Sequence, residues 1–191
     1  MAEVLGIGIA LFAILAASVG HALWTAHRRR AREALRRRFG PEYDRAVEDS
    51  GSGEAARREL RARVRRVAKL PLRDLSGAER EGFERARRRI EVAFAGDPAR
   101  ALADLERLVE EVMLARGYPR ASLAQRLADL SVHHARAVDD YRAAHAILRD
   151  GRASPEALRH ALSRYRAVVA ELVTRPLAHP AIPTVPEPLH A

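Results

Sequence analysis

The stretch VLGIGIALFAILAASVGHALWTAHRRRAREALRRR, residues 4–38, sets two opposed chemistries side by side. Its first 23 residues, 4–26, contain no Asp, Glu, Lys or Arg. A helix needs about 20 apolar residues to cross roughly 30 Å of hydrocarbon, so the run suffices to span a bilayer with some tilt. Gly6, Gly8 and the alanines suit a membrane helix, and Trp24 falls where an amphipathic ring meets the headgroups. Residues 28–38 then carry Arg28, Arg29, Arg30, Arg32, Arg36, Arg37 and Arg38 against Glu33 alone. Only Met1, Ala2 and Glu3 precede the run. The flanking cations therefore predict a cell-membrane, single-pass protein with its N-terminus outside and the rest in the cytoplasm.

A cleaved secretory signal is the rival reading. It wants a basic start and a small-residue cleavage site, whereas this start is acidic and Gly20-His21-Ala22 is a poor site. His21 reads as an interfacial residue. Gly6 and Ala10, four apart, form a small-xxx-small pair that permits close helix contact and a homo-oligomer.

Composition bounds the remainder. Aromatic content is 5% and cysteine is absent, so no disulfide framework, thiolate zinc site or cysteine nucleophile exists. Alanine and leucine favour helix over strand. The net charge of +9 is unevenly placed: residues 28–69 hold 15 basic and 7 acidic side chains, and residues 70–191 hold 19 and 17. The basicity thus adjoins the expected anchor. Each basic residue near anionic inner-leaflet lipid contributes about 1 kcal/mol of attraction, which accounts for the charge without nucleic acid.

Residues 1–27 therefore read as a transmembrane anchor and 28–70 as a basic juxtamembrane helical segment. Residues 71–174 read as a helical bundle, and 175–191 as a Pro-rich disordered tail. The anchor helix continues through the arginines until Gly40-Pro41 stops it. A short helix starts at Pro41, and Ser50-Gly51-Ser52-Gly53 breaks the chain. Residues 54–70 form a charged helix with a narrow stripe of Leu60, Val64 and Val67. Leu70 to Leu75 is an extended connector. Ser76-Gly77-Ala78-Glu79 is a capping box opening a helix with Phe83, Ala86, Ile90, Ala93 and Phe94 on one face. Asp97-Pro98, Ser122 and Ser154-Pro155 open three more starts. Leu158, Ala161, Leu162, Tyr165, Val168, Val169 and Leu172 give the last helix a clean apolar face. Helix starts near 76, 97, 122 and 154 have no constant spacing, which argues against a repeat array.

No Walker motif, G-x-G-x-x-G, G-x-S-x-G or H-E-x-x-H occurs. The densest polar cluster is Asp129, His133, His134, Asp139, Asp140, Tyr141 and His145. A helical di-metal site would need Glu-x-x-His on two helices, which this chain lacks. His133 and His134 read as capping or exposed residues, His145 as a half-buried packing histidine, and Glu110-Glu111 and Asp139-Asp140 as solvated acids. No cofactor or metal is expected.

Several segments resemble a family of uncharacterised single-pass membrane proteins of high-GC actinobacteria. They are Arg38-Phe39-Gly40-Pro41-Glu42-Tyr43-Asp44, Leu72-Arg73-Asp74-Leu75-Ser76, Arg116-Gly117-Tyr118-Pro119, Leu130-Ser131-Val132-His133-His134, Tyr141-Arg142-Ala143-Ala144-His145 and Tyr165-Arg166. The resemblance covers most of residues 36–173. It departs after Leu-Ser-Val, where the family pattern has Asp-His-Pro and this chain has His133-His134-Ala135. The resemblance implies location and architecture, with no activity attached.

The sequence thus predicts an all-α protein: a transmembrane helix followed by a small bundle, acting as a non-enzymatic protein-interaction or scaffold module. Arg28, Arg29, Arg30, Arg32, Arg36, Arg37 and Arg38 would rest on anionic lipid, and a protein partner is expected. Two alternatives stand beside it. One is a secreted or membrane-tethered sensor or enzyme using the polar cluster from Asp129 to His145. The other is a nucleic-acid binder through Arg28, Lys69 and the arginines between them, although no aromatic interleaving accompanies that charge.

Overall fold

The computed structural model describes residues 2–177, with the backbone alone described at 2–17, 27, 28 and 31. Among the described residues every regular element is an α-helix: α1 (Ala2–Phe39), α2 (Pro41–Ser50), α3 (Gly53–Val67), α4 (Gly77–Ala93), α5 (Pro98–Ala115), α6 (Leu123–Leu130), α7 (Ala135–Arg149) and α8 (Pro155–Thr174). The all-α expectation holds. The side chains of residues 4–17, on which the expected membrane span rests, lie outside those described. Among the described residues no helix is long and apolar enough to cross a membrane. The expected disordered tail lies outside the described residues from 178 onward. The chain divides into two compact units, Met1–Val64 and Arg65–Ala191, with the division inside α3.

In the first unit α1 runs unbroken for 38 residues, about 57 Å at 1.5 Å per residue. It ends where Gly40 takes a φ of 52° and Pro41 opens α2 with its fixed φ. Arg36 reaches Asp44 on α2 at 3.4 Å. Gly51 ends α2 in the left-handed region at a φ of 69°. The Ser52 hydroxyl then accepts from the Ala55 amide at 3.1 Å and opens α3. Phe39, Tyr43, Ala46, Ala56 and Leu60 are buried. So is the Glu42 side chain, which faces Arg63 at 3.7 Å.

The second unit is organised about α8, which packs on α7, α5 and α4. Ala161, Tyr165, Val168, Val169, Leu172 and Val173 form its buried stripe, with the three- and four-residue spacing of an amphipathic helix. Facing it are Leu102, Leu105, Leu108, Val109, Val112 and Met113 of α5 and Val138, Tyr141 and Ala144 of α7. Each fully buried aliphatic side chain contributes about 1.5–3 kcal/mol. The expected start signals all act: the Ser76 hydroxyl accepts from the Glu79 amide at 3.2 Å while the Glu79 carboxylate accepts from the Ser76 amide at 2.8 Å. Arg73 and then Ser76 hold the Glu79 carboxyl down at about 2. Asp97, Ser122 and Ser154 cap α5, α6 and α8 through their side chains.

The α4 helix departs from expectation. Phe83, Ala86, Ile90 and Phe94 are only half buried and Ala93 is exposed. The helix packs on α5 and α8 and no residue along it is fully buried, so its apolar face is only partly covered. The connector before it runs along the end of α5: the Arg73 amide donates to the Arg116 carbonyl at 3.0 Å. Gly117 makes this approach possible. It has a φ of +91°, and a Cβ there would lie 2.3 Å from the Pro71 carbonyl oxygen. Both the left-handed backbone and the backbone clash oppose any side chain. Gly117→Ala is expected to cost about 3 kcal/mol, read as a lower urea midpoint by circular dichroism.

Candidate functional site

The arginines of the expected lipid surface lie on α1. Arg29, Arg30, Arg32, Arg36 and Arg37 are exposed, whereas the Arg28 side chain lies outside those described. Arg36 alone of these five has a described acidic partner, Asp44. Arg38 is half buried, with its guanidinium 5.9 Å from the Phe39 ring centre, and desolvation lowers its pKa from the ordinary arginine value. Just before the arginines, Val19, Leu23 and Trp24 stand 50%, 67% and 50% exposed. His21 lies against Trp24 with ring centres 5.9 Å apart. An open apolar stretch therefore passes directly into an open basic one along a single helix.

The polar cluster from Asp129 to His145 is divided among separate partners. Asp129, at the end of α6, is buried and accepts from the Arg66 guanidinium at 2.9 and 2.6 Å and from Gln125 at 2.9 Å. Asp140 takes Arg164 at 2.8 Å, and Asp139 pairs with Arg142 at 3.5 Å. His133 lies in the turn between α6 and α7, so it does not share a helix face with Asp129. Glu110 bonds Arg126, so Glu110 and both members of Asp139-Asp140 are paired through their carboxylates instead of merely solvated. His134 is fully buried, neither exposed nor capping α7 through its side chain.

His134 is buried because it belongs to a network centred on Arg116, whose role the sequence did not reveal. Arg116 follows α5 and is 1% exposed. Its Nη1 donates to the Leu172 carbonyl at 2.6 Å and lies 3.5 Å from His134 Nε2. Its Nη2 donates to the Asp74 carboxylate and to the Arg175 carbonyl, each at 2.9 Å. His134 Nδ1 faces Glu171 at 3.3 Å, and Glu171 takes Arg175 at 2.7 Å. Asp74 also accepts the Leu177 amide at 2.9 Å. One guanidinium therefore joins the connector before α4, the end of α5, the corner before α7 and the end of α8. Its planar fork of donors serves this, where the point charge of lysine could not. The only hint in the sequence is the Arg116-Gly117-Tyr118-Pro119 run itself, because arginine at a helix end ordinarily reads as solvated.

A second network lies between α5, α6, α7 and α8. Glu106 Oε1 lies 2.7 Å from His145 Nδ1 and 3.8 Å from Arg126. Arg126 also sits 5.8 Å from the Tyr141 ring centre. Tyr141 and Tyr165 meet at 6.1 Å. Burial pushes both phenols above their ordinary pKa. Tyr118 is raised for the same reason. Among the described residues no group of three or more His, Asp or Glu side chains is arranged to hold a metal ion. Among known proteins, no family model, curated protein or solved structure matches the chain.

Two outcomes test the Arg116 network. Arg116→Met is expected to cost about 1–3 kcal/mol, because it leaves the Leu172 and Arg175 carbonyls without their donor, and Arg116→Lys should recover only part of that in urea unfolding. The second concerns pH. Burial first, and then the neighbouring Arg116 charge, push His134 down to about 4 against the opposing pull of Glu171. The folded state thus binds fewer protons than the unfolded one between that value and about 6.5. Stability is full above this window and falls by about 3 kcal/mol as pH drops through it. Glu171, which Arg175 and His134 hold below its ordinary range despite its burial, adds a further loss at the acid end. His134→Gln should flatten the profile between pH about 6.5 and about 4 in urea titrations.

Proposed function

We propose that this chain is a single-pass membrane protein whose helical domain, on the cytoplasmic side, works as a non-enzymatic interaction or scaffold module. The observation that carries the reading is the continuous α1. Its described apolar side chains, Val19, Leu23 and Trp24, stand open directly before exposed Arg29, Arg30, Arg32, Arg36 and Arg37. The 23 uncharged residues at 4–26 are long enough for a span. A tryptophan followed by arginines is the order that a headgroup boundary favours on the cytoplasmic side. Arg29, Arg30, Arg32 and Arg37, which have no acidic partner among the described residues, suit the phosphates of anionic lipid, where each basic residue is attracted by about 1 kcal/mol.

The interaction role is supported by how the titratable side chains of the bundle are used. Asp129, His134, Asp140 and His145 are each bound to a partner from another part of the chain. Their hydrogen bonds and close polar contacts tie separate helices together. The likeness to single-pass actinobacterial proteins agrees with the same placement.

The absence of native cysteine makes the topology directly measurable. In intact cells, an impermeant maleimide should label Ala2→Cys and leave Ser154→Cys unlabelled until the membrane is opened; the reverse pattern would refute the orientation. Fragment 27–191, once its helicity is verified, should float with vesicles containing phosphatidylserine and stay behind with neutral ones. Equal recovery from both would refute the lipid role, and salt-dependent retardation of DNA would favour a nucleic-acid partner instead. Proximity labelling from the full chain then identifies the protein bound to the bundle.

A further inference from the structure

The half-covered face of α4 forms, with α5, a groove of about 320 Å³. Ala86 and Ile90 of α4 and Leu108 of α5 supply its apolar lining. Arg107 and Asp104, which also line it, are paired with each other. Arg89 of α4 and Glu111 of α5 complete the lining. Both are exposed, and neither has an ion-pair partner among the described residues. Residues 94–97 alone join the two helices, and the Arg73-to-Arg116 backbone bond closes the opposite end, so α4 and α5 run antiparallel. Arg89 lies three residues beyond Ala86, and Glu111 three residues beyond Leu108, each about 4.5 Å along its helix. In antiparallel helices these steps point in opposite directions. The two charges therefore stand toward opposite ends of the groove.

We propose that this face binds the same face of a second copy of the chain, with Arg89 of each copy set against Glu111 of the other. Opposite charges at opposite ends make the groove complementary to itself. A single two-fold axis passing between them forms both ion pairs at once, as an isologous contact requires. A uniformly acidic or basic partner would instead meet a like charge at one end. Two further observations fit a second copy. Phe83, Ala86 and Ile90 are only half buried, so apolar area remains that docking would remove from water. Gly82 lies four residues before Ala86, on the same face of α4. A glycine inside a helix is destabilising relative to alanine. Outside its own helix nothing lies within 4 Å of where a Gly82 Cβ would be, so no close contact within the described chain calls for it. Between two copies, the missing side chain lets a neighbouring helix approach closely. The inference stands on the second unit alone and does not depend on what α1 crosses.

The experiment uses the full chain in detergent micelles. Ala146→Cys, exposed on α7, supplies the single thiol in a chain without native cysteine. Donor-labelled and acceptor-labelled chains are mixed, and energy transfer is followed as the ratio of protein to detergent rises. Arg89→Glu alone and Glu111→Arg alone each turn both ion pairs into like-charge pairs. Each should weaken association by about tenfold while helicity by circular dichroism is unchanged. Chains carrying Arg89→Glu mixed with chains carrying Glu111→Arg should regain the transfer of the unsubstituted protein, because opposite charges again meet at both ends. Transfer that is absent from the unsubstituted chain, that neither exchange lowers, or that mixing fails to regain would overturn the proposal. Transfer indifferent to both exchanges would place the association on another surface, such as α1.

Discussion

The second unit depends on one buried guanidinium. Helices α4, α5, α7 and α8 could bury their apolar stripes in several relative settings, because hydrophobic contact is proportional to area and carries little direction. Arg116 removes that freedom. It donates to two carbonyls at the end of α8, Leu172 and Arg175, and to Asp74 of the connector, and lies against His134. Such bonds are directional and costly to leave unmade away from water. They hold at one point the chain before α4, the corner before α7 and the end of α8. A buried ion pair of this kind is weak support for stability by itself, since hydrophobic residues of the same volume often do as well. Its effect here is on which arrangement of helices is accepted.

The local backbone is shaped to the same purpose. Gly117 lets the Pro71 carbonyl approach to a distance no Cβ would tolerate, and this brings the connector within reach of the Arg116 carbonyl and guanidinium. His134 must stay neutral to remain beside Arg116, and burial keeps it so. A glycine, a histidine and an arginine that are unremarkable singly thus form one mutually dependent corner. The second network, of Glu106, Arg126, His145, Tyr141 and Tyr165, works in the same manner one turn or more further along the bundle, tying α5 to α6 and α7 through charge-assisted bonds. In both places residues with the chemistry of an active site are spent on the positions of helices.

Much of the architecture was legible because it is encoded locally. Capping signals at Ser76, Asp97, Ser122 and Ser154 work through hydrogen bonds to residues three positions away, so they can be read directly. The same holds for the three- and four-residue spacing of α8, the stop at Gly40-Pro41 and the break before α3. The concentration of charge beside residues 4–26 also needs no partner to be recognised. What could not be read were the roles of Arg116 and His134. Their partners lie at separations of 18 to 59 residues along the chain, and nothing in a sequence distinguishes an arginine that will be enclosed from one that will be solvated. The incomplete cover of α4 was illegible for the same reason: its apolar face is well formed, and only the placement of α5 and α8 determines how much of it remains open.

By itself, then, the sequence determined the class of fold, the order and ends of the helices, and the segregation of an uncharged run from the arginines that follow it. Those properties depend on interactions within one or two helical turns. Tertiary structure alone decided which polar side chains are buried, which of them meet, and which apolar face is left with a groove. These properties depend on directional bonds between residues distant in the chain, and such bonds exist only once the helices have been brought together.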